Sequence, residues 1–150
     1  MTKLVSAFCA LALASTCGLA AAQTVASNAW VRATVPAQKT GGAYLTLRSP
    51  DAARVLKGAS PAAASVEIHT MQMNDTTMSM REVTAVELPA GQPVNNFHIM
   101  LIGLKQPLKE GALVPLSLVV EHAGGKRETV QVEVAVKPLT YQAPAQAAAQ

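Results

Sequence analysis

Past residue 17 the chain has no cysteine, and past residue 22 its only aromatic side chains are Trp30, Tyr44, Phe97 and Tyr141. With Cys9 and Cys17 confined to the start, the rest of the chain can build neither a disulfide nor a thiolate metal cage. There is no run of basic residues, and the formal net charge is only +3. The electrostatic footprint of a nucleic-acid binder is therefore missing. No segment shows a convincing 3.6-residue apolar period, no internal repeat is visible, and no G-x-S-x-G frames a nucleophile. Ser65, His69 and Asp75 offer the residue types of a hydrolytic triad without its setting, so an enzyme is not expected.

The first residues read as an export signal. Lys3 supplies the positive start, Leu4 to Leu13 form an apolar run too short to span a bilayer, and Ala20-Ala21-Ala22 offers a small-residue cleavage site before Gln23. Lipid anchoring at Cys17 is disfavoured, because Thr16 stands where a small Gly or Ala precedes an acylated cysteine. Residues 1–22 are thus read as a signal peptide, and the product is expected in the periplasm without membrane insertion. Its 128 residues suit one domain, and its charge falls to +2 because Lys3 is the only charge lost. A mature chain without cysteine fits an oxidising compartment, where paired thiols become disulfides and lose metal.

What remains is strand-forming. Ala29 to Thr34, Ala43 to Leu47 and Ala53 to Ala59 read as strands between Pro- and Gly-rich turns. Ser65 to Met73 alternates, with Val66 and Ile68 on one face and Glu67, His69 and Met71 on the other. Met78 to Val83 follows across the polar 74–77 link as the second arm of a hairpin. Phe97 to Ile102 alternates again, His98 and Met100 lying opposite Phe97, Ile99 and Leu101. Val114 to Glu121 and Glu128 to Val136 form a hairpin about Gly124-Gly125, with His122 beside the turn read as a solvated surface residue. Residues 138–150 form an Ala/Gln/Pro tail expected to be disordered. These short strands predict a single all-β domain over residues 23–137, an antiparallel β-sandwich or barrel.

Every methionine except Met1 falls between Met71 and Met100, and two of the three histidines, His69 and His98, fall in the same stretch. Core methionines fill gaps wherever they arise and have no reason to gather. The pairs His69/Met71, Met78/Met80 and His98/Met100 are each spaced i, i+2, so each pair projects from one face of its strand. The intervening apolar residues claim the core for the first and third, leaving the donors to face solvent or one another. Thioether plus imidazole is a soft, neutral donor set suited to Cu(I), and a blue-copper electron carrier would need a cysteine. A Met-rich patch for apolar peptides is the non-metal alternative, an interaction module on a β-sandwich.

The order His69, ten residues, Met80, a spacer, then His98-x-Met100 resembles PCu(A)C-type periplasmic copper chaperones. Similar segments include Ala29-Trp30-Val31-Arg32-Ala33, Gly41-Gly42-Ala43-Tyr44-Leu45, Val66-Glu67-Ile68-His69 and His98-Ile99-Met100-Leu101-Ile102-Gly103-Leu104. The resemblance spans about residues 28 to 137. It implies a cupredoxin-like β-sandwich in which His69, Met80, His98 and Met100 bind one Cu(I) per monomer. It further implies delivery to the CuA subunit of cytochrome c oxidase, directly or with a Sco-type thiol protein. Copper resistance or buffering is the alternative use of the same donors. The 17-residue spacer Arg81 to Phe97 is shorter than the family's, and Met71 or Met78 stands close enough to replace or supplement Met80.

Overall fold

A computed structural model describes residues 23–144. The leader reading of residues 1–22, Cys17 included, and the last six residues of the tail lie outside it. The described residues form ten strands: β1 (Val25–Arg32), β2 (Thr40–Arg48), β3 (Ala53–Ala59), β4 (Ala63–Asn74), β5 (Thr77–Glu82), β6 (Val86–Leu88), β7 (Pro93–Val94), β8 (Phe97–Leu104), β9 (Leu113–His122) and β10 (Arg127–Lys137). The all-β expectation holds, and eight of the ten are the strands expected, shifted by a few residues at their ends. The two not foreseen, β6 and β7, are too short to carry a period.

The strands pair in the order β5-β4-β8-β2-β1-β10-β9-β3-β6, with β7 against β2. All ladders are antiparallel except β1 with β10, where Trp30 stands beside Ala135 and Val31 beside Val136. The sheet curls so that its two halves share one core. Leu45, Leu47, Ile68, Phe97, Ile99 and Leu101 from one half meet Val55, Leu116, Leu118, Val120, Val132 and Val134 from the other. Ile99 and Leu118 are wholly buried, a burial that stabilises each by about 1.5–3 kcal/mol over an exposed position. Close approach of the halves is visible at Gly58 of β3, where a Cβ would stand 2.7 Å from Val66 Cγ1 of β4.

Turn chemistry sets the hairpins that matter for function. Between β4 and β5 the ladder runs to Asn74 opposite Thr77, leaving Asp75-Thr76 as a two-residue turn with Asp75 at φ 52°. A short polar side chain tolerates that left-handed conformation. The β9–β10 hairpin forms as expected, and its valines 130, 132, 134 and 136 are all buried. His122 departs from its expected solvated state. It is clamped between Asp51 and Glu128, Nδ1 lying 2.7 Å from Asp51 Oδ1 and Nε2 2.8 Å from Glu128 Oε2. Glu128 in turn accepts from the Thr24 backbone N–H, tying the segment before β1 to β10. Packing also continues past residue 137, for Tyr141 sets its edge on Trp30 at 4.9 Å and its carbonyl accepts from Arg32 Nε.

Candidate metal centre

Pairing register, which local alternation does not reveal, decides which donors meet. On the outer face of the sheet His69 of β4 stands directly opposite His98 of β8, and Glu82 of β5 flanks His69 on its other side. One step along the strands, Met100 of β8 lies between Glu67 of β4 and Gly42 of β2. One step the other way, Met71 faces Met80, and beyond them Met73 faces Met78. All these residues share the face opposite Ile68, Phe97, Ile99 and Leu101.

The imidazole pair is built tightly. The His69 and His98 rings meet edge to face at 5.6 Å. Tyr44 covers the other side of His98 at 5.6 Å, and Trp30 stacks on Tyr44 at 4.6 Å. This aromatic wall leaves His98 only 1 % exposed, although its strand position is on the outer face. Burial, and secondarily the neighbouring His69, holds the His98 pKa below the ordinary histidine value. A neutral ring with a free lone pair is the form a metal requires.

A carboxylate selects the tautomer of the other ring. His69 Nε2 lies 3.0 Å from Glu67 Oε2. An ionised carboxylate only accepts, so Nε2 carries the proton and donates, and the neutral ring presents its lone pair at Nδ1. That Nδ1 is buried without a hydrogen-bond partner, and so is Nδ1 of His98. Two orphaned buried nitrogens on facing rings are costly unless something else binds them. Close by, the Met100 sulfur and the Tyr44 hydroxyl each stand 3.7 Å from where a Cβ would project from Gly42. The thioether thus lies against the sheet over Gly42, on the same side as the Tyr44 hydroxyl. Among the described residues no group of three or more His, Cys, Asp or Glu side chains is placed to hold a metal ion. The donors that share the face with the imidazole pair include thioethers, and this set fits a soft monovalent ion.

Met80 stands apart from the other three proposed ligands. It is diagonal to His69, across from Met71, and 61 % exposed. Relative to Met100 it is displaced by two strands and four residues of register, roughly 16 Å between Cα positions on a flat sheet. Met80 joins Met100 on one ion only if the β4–β5 hairpin bends over the histidines. Two functional side chains were not singled out from the sequence. Glu67 shares His69's face by the same two-residue rule, whereas nothing local signals that Tyr44 lies against His98.

The family model described as "Putative lipoprotein LpqE-like" matches residues 24–136, three quarters of the chain. The chain belongs to this LpqE-like family. Among solved structures, apo-DR1885 from Deinococcus radiodurans is similar at 26 % identity and TM-score 0.55, over 91 % of this chain and 95 % of that one. The CuI-DR1885 form matches at 27 % identity and TM-score 0.50, over 83 % of each chain. The copper-bound PCuAC domain from PmoF2 matches at 18 % identity and TM-score 0.60, over 79 % of this chain and 96 % of that domain. No curated protein sequence matches significantly. The resemblance read from the His/Met pattern, and the cupredoxin-like β-sandwich it implies, are borne out for this LpqE-like chain.

Proposed function

We propose that this LpqE-like chain is an extracytoplasmic metallochaperone that binds one Cu(I) tightly at its imidazole pair and passes it on without catalytic turnover. One observation carries the reading: two facing histidines whose buried Nδ1 atoms have no partner, with Met100 one step along the same strand face. The titles of the DR1885 and PmoF2 structures, one naming Cu(I) and the other copper, support the choice of metal. In this reading His69, His98 and Met100 are the primary donors and Met80 completes the set when the hairpin closes. The wall of Tyr44 and Trp30 holds His98 rigid, while the His69 side chain keeps 19 % of its surface in contact with solvent. A buried anchor beside accessible donors suits ligand-by-ligand transfer to a partner, and neutral donors favour the reduced ion.

The recipient we propose is the CuA subunit of cytochrome c oxidase or a Sco-type thiol protein acting with it, served by a monomer in the periplasm. Cu(I) titration of the chain from Gln23 under reducing conditions should give one tight equivalent, sharply weakened by His98→Ala or Met100→Ala. Wild-type-like affinity in a variant with His69, Met80, His98 and Met100 all replaced by alanine would sink the assignment. Loss of oxidase activity under copper limitation on deletion supports delivery, and copper sensitivity instead supports buffering.

A further inference from the structure

The β4–β5 hairpin holds a second group of soft donors, of which the imidazole pair uses Met80 alone. Met71, Met73, Met78 and Met80 are 39–69 % exposed, and together they make up half of the exposed large hydrophobic residues among those described. They fill no gap in the core, the usual reason for a methionine. Their register is specific. Met71 faces Met80 and Met73 faces Met78, so four thioethers occupy a two-by-two block on one face of a two-stranded ribbon. Directly opposed residues have Cβ atoms about 4.5–5.5 Å apart and diagonal ones about 7–8 Å apart. Unbranched side chains with three rotatable bonds can close both gaps onto a single ion.

The block is distinct from the imidazole site. Met73 and Met78 lie four residues of β4 register beyond His69, one pair short of the Asp75-Thr76 turn. Met71 and Met80 stand between the two groups, one step from His69. No nitrogen or carboxylate donor is interleaved within the block, since the alternate residues Gln72 and Ser79 project from the opposite face. An all-thioether set selects soft monovalent cations, Cu(I) or Ag(I), and offers little to zinc, magnesium or Cu(II).

We propose that Met71, Met73 and Met78 form a second, weaker Cu(I) site on the hairpin, with Met80 shared between it and His69, so that the ion moves along the ribbon to and from the imidazole pair. Its metal is that of the proposed function and rests on that reading. Met71, Met73 and Met78 are not donors in that reading, which makes the two independently testable. The chain from Gln23 carries every strand of the fold and can be labelled at its methionine methyl carbons.

Titration with Cu(I) beyond one equivalent, with Ag(I) as a redox-inert parallel, should shift the Met73 and Met78 methyl resonances in a second step after those of Met100. The double variant Met73→Leu, Met78→Leu keeps the hairpin's apolar surface. It should lose the second equivalent and retain the first. Methyls of Met73 and Met78 that stay still through excess Cu(I) and Ag(I) overturn the proposal and leave the patch as an apolar surface. So does a second equivalent that survives the double variant. If the methionine methyls shift while no tight equivalent forms at His69 and His98, the hairpin site stands and the chaperone reading falls.

Discussion

Replacing Glu67 by alanine should weaken Cu(I) binding although Glu67 is not proposed as a ligand. Its carboxylate accepts from His69 Nε2 at 3.0 Å and thereby keeps the proton off Nδ1, the buried and otherwise unpartnered nitrogen. Without that acceptor the ring divides between two tautomers and two orientations, and part of the population offers N–H where a lone pair is needed. Loss of such an outer partner typically costs 10–100-fold in metal affinity. The Glu67 side chain is 36 % exposed, and water competes for the bond. The lower end therefore applies, about tenfold or about 1.4 kcal/mol. Competition against a chromophoric Cu(I) chelator measures the affinity, and the ring nitrogen shifts of His69 in the metal-free chain report the tautomer. Glu67→Gln keeps an oxygen acceptor and should restore both readouts. The reasoning is refuted if Glu67→Ala binds like wild type with Nε2 still protonated. It is equally refuted if Glu67→Gln loses as much as Glu67→Ala.

Three further outcomes are expected. Gly103 of β8 has φ +67°, and a Cβ there would stand 2.8 Å from Ala64 Cβ. Gly103→Ala should therefore cost about 1–3 kcal/mol by the combined strain and overpacking, read as a lower midpoint in urea. At the other end of the sheet, Glu128 foremost among its partners raises the His122 pKa, and the hydrogen bond to His122 lowers that of Asp51. For Glu128, burial pushes upward but bonds from His122 and Thr24 pull the carboxyl net downward. A raised histidine stabilises the fold below its ordinary value and loses that effect as pH rises through the folded pKa. Lowered carboxyls stabilise above their ordinary range and lose the effect as pH falls through theirs. Melting temperature should thus peak between the two, and His122→Ala should flatten the profile. Intact mass of the exported product should match a chain beginning at Gln23, whereas a diacylated product beginning at Cys17 would overturn the leader reading.

Much of the fold was legible because strands betray themselves locally. The two-residue period of β4, β8 and β10 identified their inner faces, and Gly124-Gly125 located the β9–β10 turn before any pairing was known. The same period put His69, Met71, His98 and Met100 on outer faces. The short strands β6 and β7 were not legible, since two or three residues define no period. His122 was misread because its partners, Asp51 and Glu128, come from a distant loop and the facing strand. A solvated histidine and a clamped one look alike in sequence.

By itself, then, the sequence determined the type of chemistry: soft neutral donors without thiolate, gathered in one stretch and spaced for strands. Only the tertiary structure decided which donors stand together. His69 meets His98 because β4 pairs with β8, strands separated by the 22 residues 75–96. Met80 is set apart from Met100 because β5 is the far neighbour of β4. The wall behind His98 exists because β2 and β1 bring Tyr44 and Trp30 into the same row. Alternation is a property of each strand alone, whereas register is set by the packing of all of them, and the candidate metal centre is made by register.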